Sequence, residues 1–346
     1  MIYLVPFVLA IILRFFGLQY NDELGRGIAE IVLAFAIFAD VVKLRVSVLL
    51  HYHRSSLIST LIALVLYGVV LWATLPNEVW QLLLPLLILA SYDIRTCKEV
   101  RKNEMIPPRI REFLSLDGIV RTLVIAFLLS PVLRLDWTST VYSILMGGGI
   151  GFCTIVLLYL TRQNRLLFVV PFVAYFLGKQ FVGEGIIVLL VGGLLVGNLF
   201  RQACVDLITA YGKYYPYLLS FILFLFGLKF GETLFHSIRI DMVLSSVFLV
   251  FLLNGVAIAI TFLFMKMQWQ TYVFSGLSNM PGIVAFTLTI LAFEANHGFL
   301  PGILSISFIL HALYLPRLAL WYGEIFTGRD TCSKLEEHKP TVELPY

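Results

Sequence analysis

The chain is a succession of apolar runs, each about as long as a bilayer is thick. That repeat constrains what it can fold into more than any other feature. The runs fall at 1–18, 28–50, 56–75, 79–97, 112–134, 138–161, 166–181, 183–200, 213–230, 240–265, 271–293 and 300–323. A hydrocarbon core of roughly 30 Å takes about 20 apolar residues of helix. Composition agrees, with 60% hydrophobic and 13% charged residues in a chain of 346. A soluble domain keeps about a quarter of its residues charged, and no soluble core could hide this much apolar surface. Barrel strands would show as alternating segments of about ten residues, and the runs here are continuous. The expected fold is an all-α polytopic membrane protein of about twelve transmembrane helices, with membrane lipid as its solvent.

Short connections make neighbouring helices antiparallel, and an even number of spans puts both termini on one side. One set of alternate connections carries Lys43, Arg45 and Arg54, the basic stretch Arg95 to Arg111, Arg162, Arg165, Arg201, Lys213 and Lys266. The other carries only Arg26, Arg134, Lys179, Lys229 and Arg239. Basic residues accumulate on the cytoplasmic side. The chain is therefore expected in the plasma (inner) membrane with both termini cytoplasmic. Residues 1–327 read as one transmembrane domain and 328–346 as a polar cytoplasmic tail with too few apolar groups to fold. The first run lacks a charged leader and a small-residue cleavage site, so it reads as a span. The basic loop at 95–111 has no interleaved aromatics that would favour nucleic acid. It reads as simply the most cytoplasmic loop rather than as a patch for anionic lipid.

Intramembrane charge and helix breaks are the functional signals in such a chain. Glu30 and Asp40 lie in the second run, and Asp40 reads as sitting near the cytoplasmic headgroup water. The fourth run is apolar through Leu89 and then reads Ala90-Ser91-Tyr92-Asp93, downstream of Pro85. The fifth holds Asp117 and Arg121 four residues apart on one helical face, a spacing that allows an ion pair. The eleventh is interrupted by Ser278-Asn279-Met280-Pro281-Gly282. Proline removes a backbone donor and glycine frees the backbone, so the helix is expected to open there. Freed carbonyls and helix ends near the midplane can hold an ion.

Other motifs carry less. Gly147-Gly148-Gly149-Ile150-Gly151, Gly192-Gly193 and Gly197 lie inside spans and read as close helix packing. His236, His297 and His311 are isolated, with no paired-histidine metal spacing. Cys97, Cys153, Cys204 and Cys332 read as free thiols. There is no nucleophile–base pair and no cofactor motif. No enzymatic activity, cofactor or metal site is therefore expected.

Taken in order, these segments resemble the monovalent cation:proton antiporters, the sodium/proton exchanger family, over nearly the whole chain. Gly27 to Asp40 resembles the early helix that ends Leu-Phe-x-Asp. Ala90-Ser91-Tyr92-Asp93 stands where the family has Ala-Pro-Thr-Asp in an unwound helix. Ile106-Pro107-Pro108-Arg109-Ile110-Arg111 is similar to the following Val-Pro-x-Arg-Ile-Arg loop. Gly192 to Asn198 resembles a later small-residue helix. Gly276 to Gly282 falls on the Gly-Trp-Phe-Gly-Pro-Arg-Gly break, and Ser307 to Ala312 is similar to the last helix. The resemblance implies two inverted six-helix repeats, roughly 1–161 and 166–323, with crossed broken helices. It also implies a homodimer built on a panel against which a core moves, and a monovalent cation (sodium or potassium) and a proton as substrates.

The departures fall on the ion site. After the Arg-Ile-Arg loop the family reads Glu-Ser-x-x-Asn-Asp, and its last Asp binds the ion and the proton. Aligned without a gap, this chain has Asp117 for the Glu, Arg121 for the Asn and Thr122 for that Asp. The family's basic residue in the other broken helix becomes Pro281. A fixed arginine about 4 Å from a bound cation repels it by about 4 kcal/mol at an effective dielectric of about 20. Uncompensated, that is roughly a thousandfold in affinity. The expectation is an exchange site rebuilt on Asp93, then Asp117, with Arg121 as tuning counter-ion, Thr122 and Tyr92 beside it, and Asp40 as a secondary carboxylate. The alternatives are a non-transporting relative that acts as a scaffold, sensor or accessory subunit, and a transporter of an anionic solute anchored by Arg121.

Overall fold

The computed structural model describes residues 4–44, 118–121 and 124, 137–183, 185–237, 240–248, 281–294 and 299–327, with scattered positions between 58 and 91 and between 255 and 278. The helices are α1 (Leu4–Phe15), α2 (Asp22–Val41), α3 (Trp137–Thr161), α4 (Val170–Phe181), α5 (Gly185–Leu199), α6 (Arg201–Ser237), α7 (Ile240–Ser246), α8 (Ile283–Ala292) and α9 (Phe299–Thr327). A 3-10 helix at Asn164–Phe168 precedes α4. No strand occurs among the described residues. Thr138–Thr161, Arg201–Leu234 and Leu300–Tyr322 are long and apolar enough to cross a membrane. Large apolar side chains such as Tyr142, Leu145, Phe152, Tyr159 and Leu160 line the outside of α3. Lipid is the solvent that suits such a surface, and the chain is an integral membrane protein.

Local chemistry sets the hairpin of α1 and α2. Gly17 closes α1 in the left-handed region at φ 92°, and the Leu18 N–H reaches back to the Leu13 carbonyl at 3.0 Å. That is a glycine C-cap. Asn21 then caps α2, its Oδ1 accepting from the Leu24 N–H at 3.0 Å. Asp22 and Glu23 follow in the first turn, where a helix N-terminus favours negative charge.

The sequence places a span at 213–230 and leaves 201–212 as a cytoplasmic loop. The structure instead runs one helix of 37 residues from Arg201 to Ser237, about 55 Å long at 1.5 Å per residue. Cys204, Leu207, Tyr211, Tyr215, Leu219, Ile222, Phe226 and Phe230 are all buried. Their three- and four-residue spacing continues one apolar stripe through the expected loop. Pro216 lies within this helix without ending it. Lys229, read from sequence as a loop residue, is consequently a wholly helical one. Arg26 and Lys179 likewise lie within α2 and α4. The expected 166–181 span is divided, with the 3-10 helix ahead of α4. Helix α6 packs against α1, α2, α5, α8 and α9, so it is the axis of the assembly.

Close approach is made at glycines. A Cβ on Gly147 would lie 2.8 Å from the Val188 carbonyl oxygen, and one on Gly151 would lie 3.1 Å from Gly192 Cα, where α3 crosses α5. A Cβ on Gly197 would meet the Val42 backbone at 2.5 Å, where α5 meets the end of α2. Beside it Asn198 Nδ2 donates to the Leu44 carbonyl at 3.1 Å. Gly227 does the same for α6 on α1, 2.8 Å from Ala10 Cβ. These are the small-residue contacts that let membrane helices touch without a hydrophobic driving force.

Gly197→Ala is expected to destabilise the detergent-solubilised protein by about 1–3 kcal/mol, the usual cost of overpacking, measured as a lowered thermal midpoint. Gly148, where a Cβ meets nothing within 4 Å, serves as control. Gly148→Ala is expected to leave the midpoint unchanged or slightly raised.

Candidate functional site

The site is built around a helix that stops and restarts inside the protein. Phe274 and Leu277 are helical, Ser278 is in a turn, and Pro281 and Gly282 are not helical. Helix α8 then begins at Ile283 with an extended Gly282 as its N-cap (φ −104°, ψ −172°) and no side-chain capping bond. Every residue from Ile283 to Ile290 is buried. Pro281 and Gly282, the residues where an opening is expected, are non-helical and buried.

Sequence explains which group the break orphans. In a continuous helix the N–H of residue 281 would pair with the carbonyl of residue 277. Proline has no such N–H. The Leu277 carbonyl is instead taken by the Tyr314 hydroxyl of α9. The Ser278 hydroxyl closes back on the Phe274 carbonyl at 2.6 Å. Helix α9 runs antiparallel along the broken segment. Tyr322 stacks on Phe274 with centroids 4.2 Å apart, and Phe308 meets Phe286 edge-on at 5.3 Å.

Those contacts bracket the break and put His311, wholly buried on α9, level with it. Its Nδ1 lies 2.7 Å from the Ser307 carbonyl oxygen. A carbonyl only accepts, so Nδ1 donates to it. In the sequence His311 stands isolated, with no metal or catalytic partner at a recognisable spacing. The signal that could have found it is its position on the helix after a Pro-Gly break, one turn from Tyr314.

Of the other sequence-derived residues, Ser91 is buried and non-helical just after helical Ile88 and Leu89. Its hydroxyl donates to the Ile88 carbonyl at 2.9 Å. Ile88 and Leu89 belong to the same continuous apolar core as Phe274 and Ile283. Arg121 has no exposed surface, so it does not face headgroups. Tyr92, Asp93, Asp117, Thr122, Asn279 and Met280 lie outside the described residues. Asp40, expected near headgroup water, is wholly buried. It pairs with Lys43 Nζ at 3.1 Å, and that ammonium also lies 5.0 Å from the Tyr211 ring centroid. The pair occupies the end of α2, away from Asp22. Glu30 pairs with Lys179 of α4 at 2.5 Å.

The other end of α8 is capped by charge. Lys229 Nζ donates to the Ile290 carbonyl at 2.8 Å and to Asp22 Oδ1 at 2.9 Å. A cation belongs at a helix C-terminus, where carbonyls lack partners. Sequence spacing gave no sign of it, because the three partners come from α6, α8 and α2.

The architecture matches a solved transporter. The structure of the sodium proton antiporter MjNhaP1 from Methanocaldococcus jannaschii at pH 8 superimposes with a TM-score of 0.61, covering 92% of each chain at 16% sequence identity. The chain thus shares the fold of that solved structure. No protein-family profile matches the sequence, and no curated protein matches it either.

Tyr314→Phe removes the partner of a buried carbonyl, which costs about 1–3 kcal/mol. The expected result is a thermal midpoint clearly below wild type. Tyr217→Phe, at a side chain 71% exposed, is expected to stay within about 0.5 kcal/mol.

Proposed function

We propose that the chain is a secondary-active transporter that exchanges a monovalent cation for a proton. The observation that carries this reading is the interrupted, buried helix at 277–283 within an antiporter fold. An interrupted helix offers what a transported cation needs in an apolar interior: carbonyl oxygens released from helical pairing and the negative end of a half-helix. In this reading the transport domain comprises residues 1–327 as twelve spans in two inverted repeats, the chain forms a homodimer, and both termini are cytoplasmic. It performs no covalent chemistry.

Proton and cation compete for one carboxylate in this mechanism. Asp93, two residues after the buried Ser91, is the first choice and Asp117 the second. Arg121 is the fixed positive charge that restrains cation affinity and keeps the carboxylate from holding its cargo too long. Thr122, Tyr92 and Asn279 supply neutral oxygens. His311, level with the break, is a second group able to take up a proton without leaving the interior.

Arg121 also supports a second reading. A wholly buried guanidinium, together with the buried and uncapped N-terminus of α8, favours negative charge. In that case the cargo is a small anion and the protein does not exchange cations.

Purified protein in proteoliposomes with an imposed pH gradient separates the two. The first reading predicts that adding sodium or potassium chloride, but not choline chloride, collapses the gradient, with Asp93→Asn lowering the rate at least tenfold. Silence with every monovalent cation would overturn it. The second predicts uptake that follows the anion and is abolished by Arg121→Gln.

A further inference from the structure

One charged cluster lies outside the exchange site described above. Lys229 is 2% exposed, beside Phe226 and Phe230 at the far end of the apolar stripe of α6. Its ammonium is held by Asp22 Oδ1 at 2.9 Å and by the Ile290 carbonyl at 2.8 Å. The Tyr20 and Phe230 ring centroids lie 5.6 and 5.7 Å away. The second oxygen of Asp22 accepts from Arg26 Nε at 2.5 Å, and this carboxylate is half exposed. The charged groups facing Lys229 are Asp22, Arg26 and Glu294. Burial, reinforced by the Asp22 charge, pushes the Tyr20 phenol up to about 12, so that group stays neutral.

A carboxylate oxygen, a helix-terminal carbonyl and two aromatic faces around one positive charge make a cation site. Here the cation is supplied by the chain. We propose that Asp22 and the Ile290 carbonyl form a monovalent-cation subsite, occupied in this conformation by the tethered ammonium of Lys229. The tether matters because it spans elements. It joins α6 and α2 to the far end of the broken helix, so the ammonium latches α8 in place while it sits there. A cation that takes the subsite releases Lys229 from α8 without leaving either oxygen unsatisfied. Given the transport reading above, on which its role in a cycle rests, the subsite is a station at the end of the bundle where α2 begins and α8 ends.

The test uses the full chain in lipid nanodiscs and hydrogen–deuterium exchange of the amides at Leu291–Phe293, with no transport needed. In choline chloride, Lys229→Met is expected to exchange there at least tenfold faster than wild type. Replacing choline by sodium or potassium is expected to restore most of the protection, since the free ion takes the ammonium's place. The double variant Lys229→Met/Asp22→Asn is expected to stay fast in every salt. If Lys229→Met does not purify, Lys229→Ala, which supplies no donor for the carbonyl and leaves room for a free ion, gives the same comparison. Wild-type-like exchange in choline would overturn the latch. Fast exchange that persists in sodium and potassium would overturn the subsite. Proteoliposomes that exchange no cation would sink the transport reading while leaving this result standing.

Discussion

A helix interrupted in an apolar interior must find partners for the backbone groups it releases. Lipid supplies none, and each orphan costs on the order of several kcal/mol. The rest of this structure follows from how that demand is met at 277–292. Pro281 orphans the Leu277 carbonyl, and Tyr314 of α9 takes it. The far end of α8 orphans the Ile290 carbonyl, and Lys229 of α6 takes it. Helices on either side of the break therefore have fixed positions relative to it. The long axial helix and the last helix act as its scaffold as well as membrane spans.

The same demand accounts for the buried charge. Asp40 is wholly buried and pairs with Lys43, and the buried Lys229 pairs with a half-exposed Asp22. Each pair joins a residue of α2 to a lysine near an end of that helix. Neither pair is a strong source of stability, because desolvation offsets much of the Coulomb gain. Their value is positional: breaking one partner leaves the other uncompensated. Arg121, buried in the same interior, adds a fixed positive charge to it.

Much of the architecture was legible without coordinates, because lipid leaves the backbone few options. Continuous apolar runs mean helices, and Gly147, Gly151 and Gly197 lie where helices touch. Pro281 and Gly282 are non-helical just ahead of α8. Helix lengths were less legible. A hydropathy run ends where charge appears, yet α6 carries its apolar stripe from Cys204 through a polar stretch containing Asp206 and Lys213. Asp40 was misplaced for a related reason. Nearness to a span's end says nothing about which way a side chain turns, and this one faces the interior with its lysine.

Helicity, a lipid environment and the place where one helix opens follow from local composition and from a missing N–H, so they can be read along the chain. What closes the opening is set by packing. Tyr314 is distant in sequence from Leu277, and Lys229 from both Asp22 and Ile290. No local pattern encodes such meetings. They arise because α6 and α9 pack alongside a broken helix whose unpaired carbonyls accept whatever donor the packing delivers.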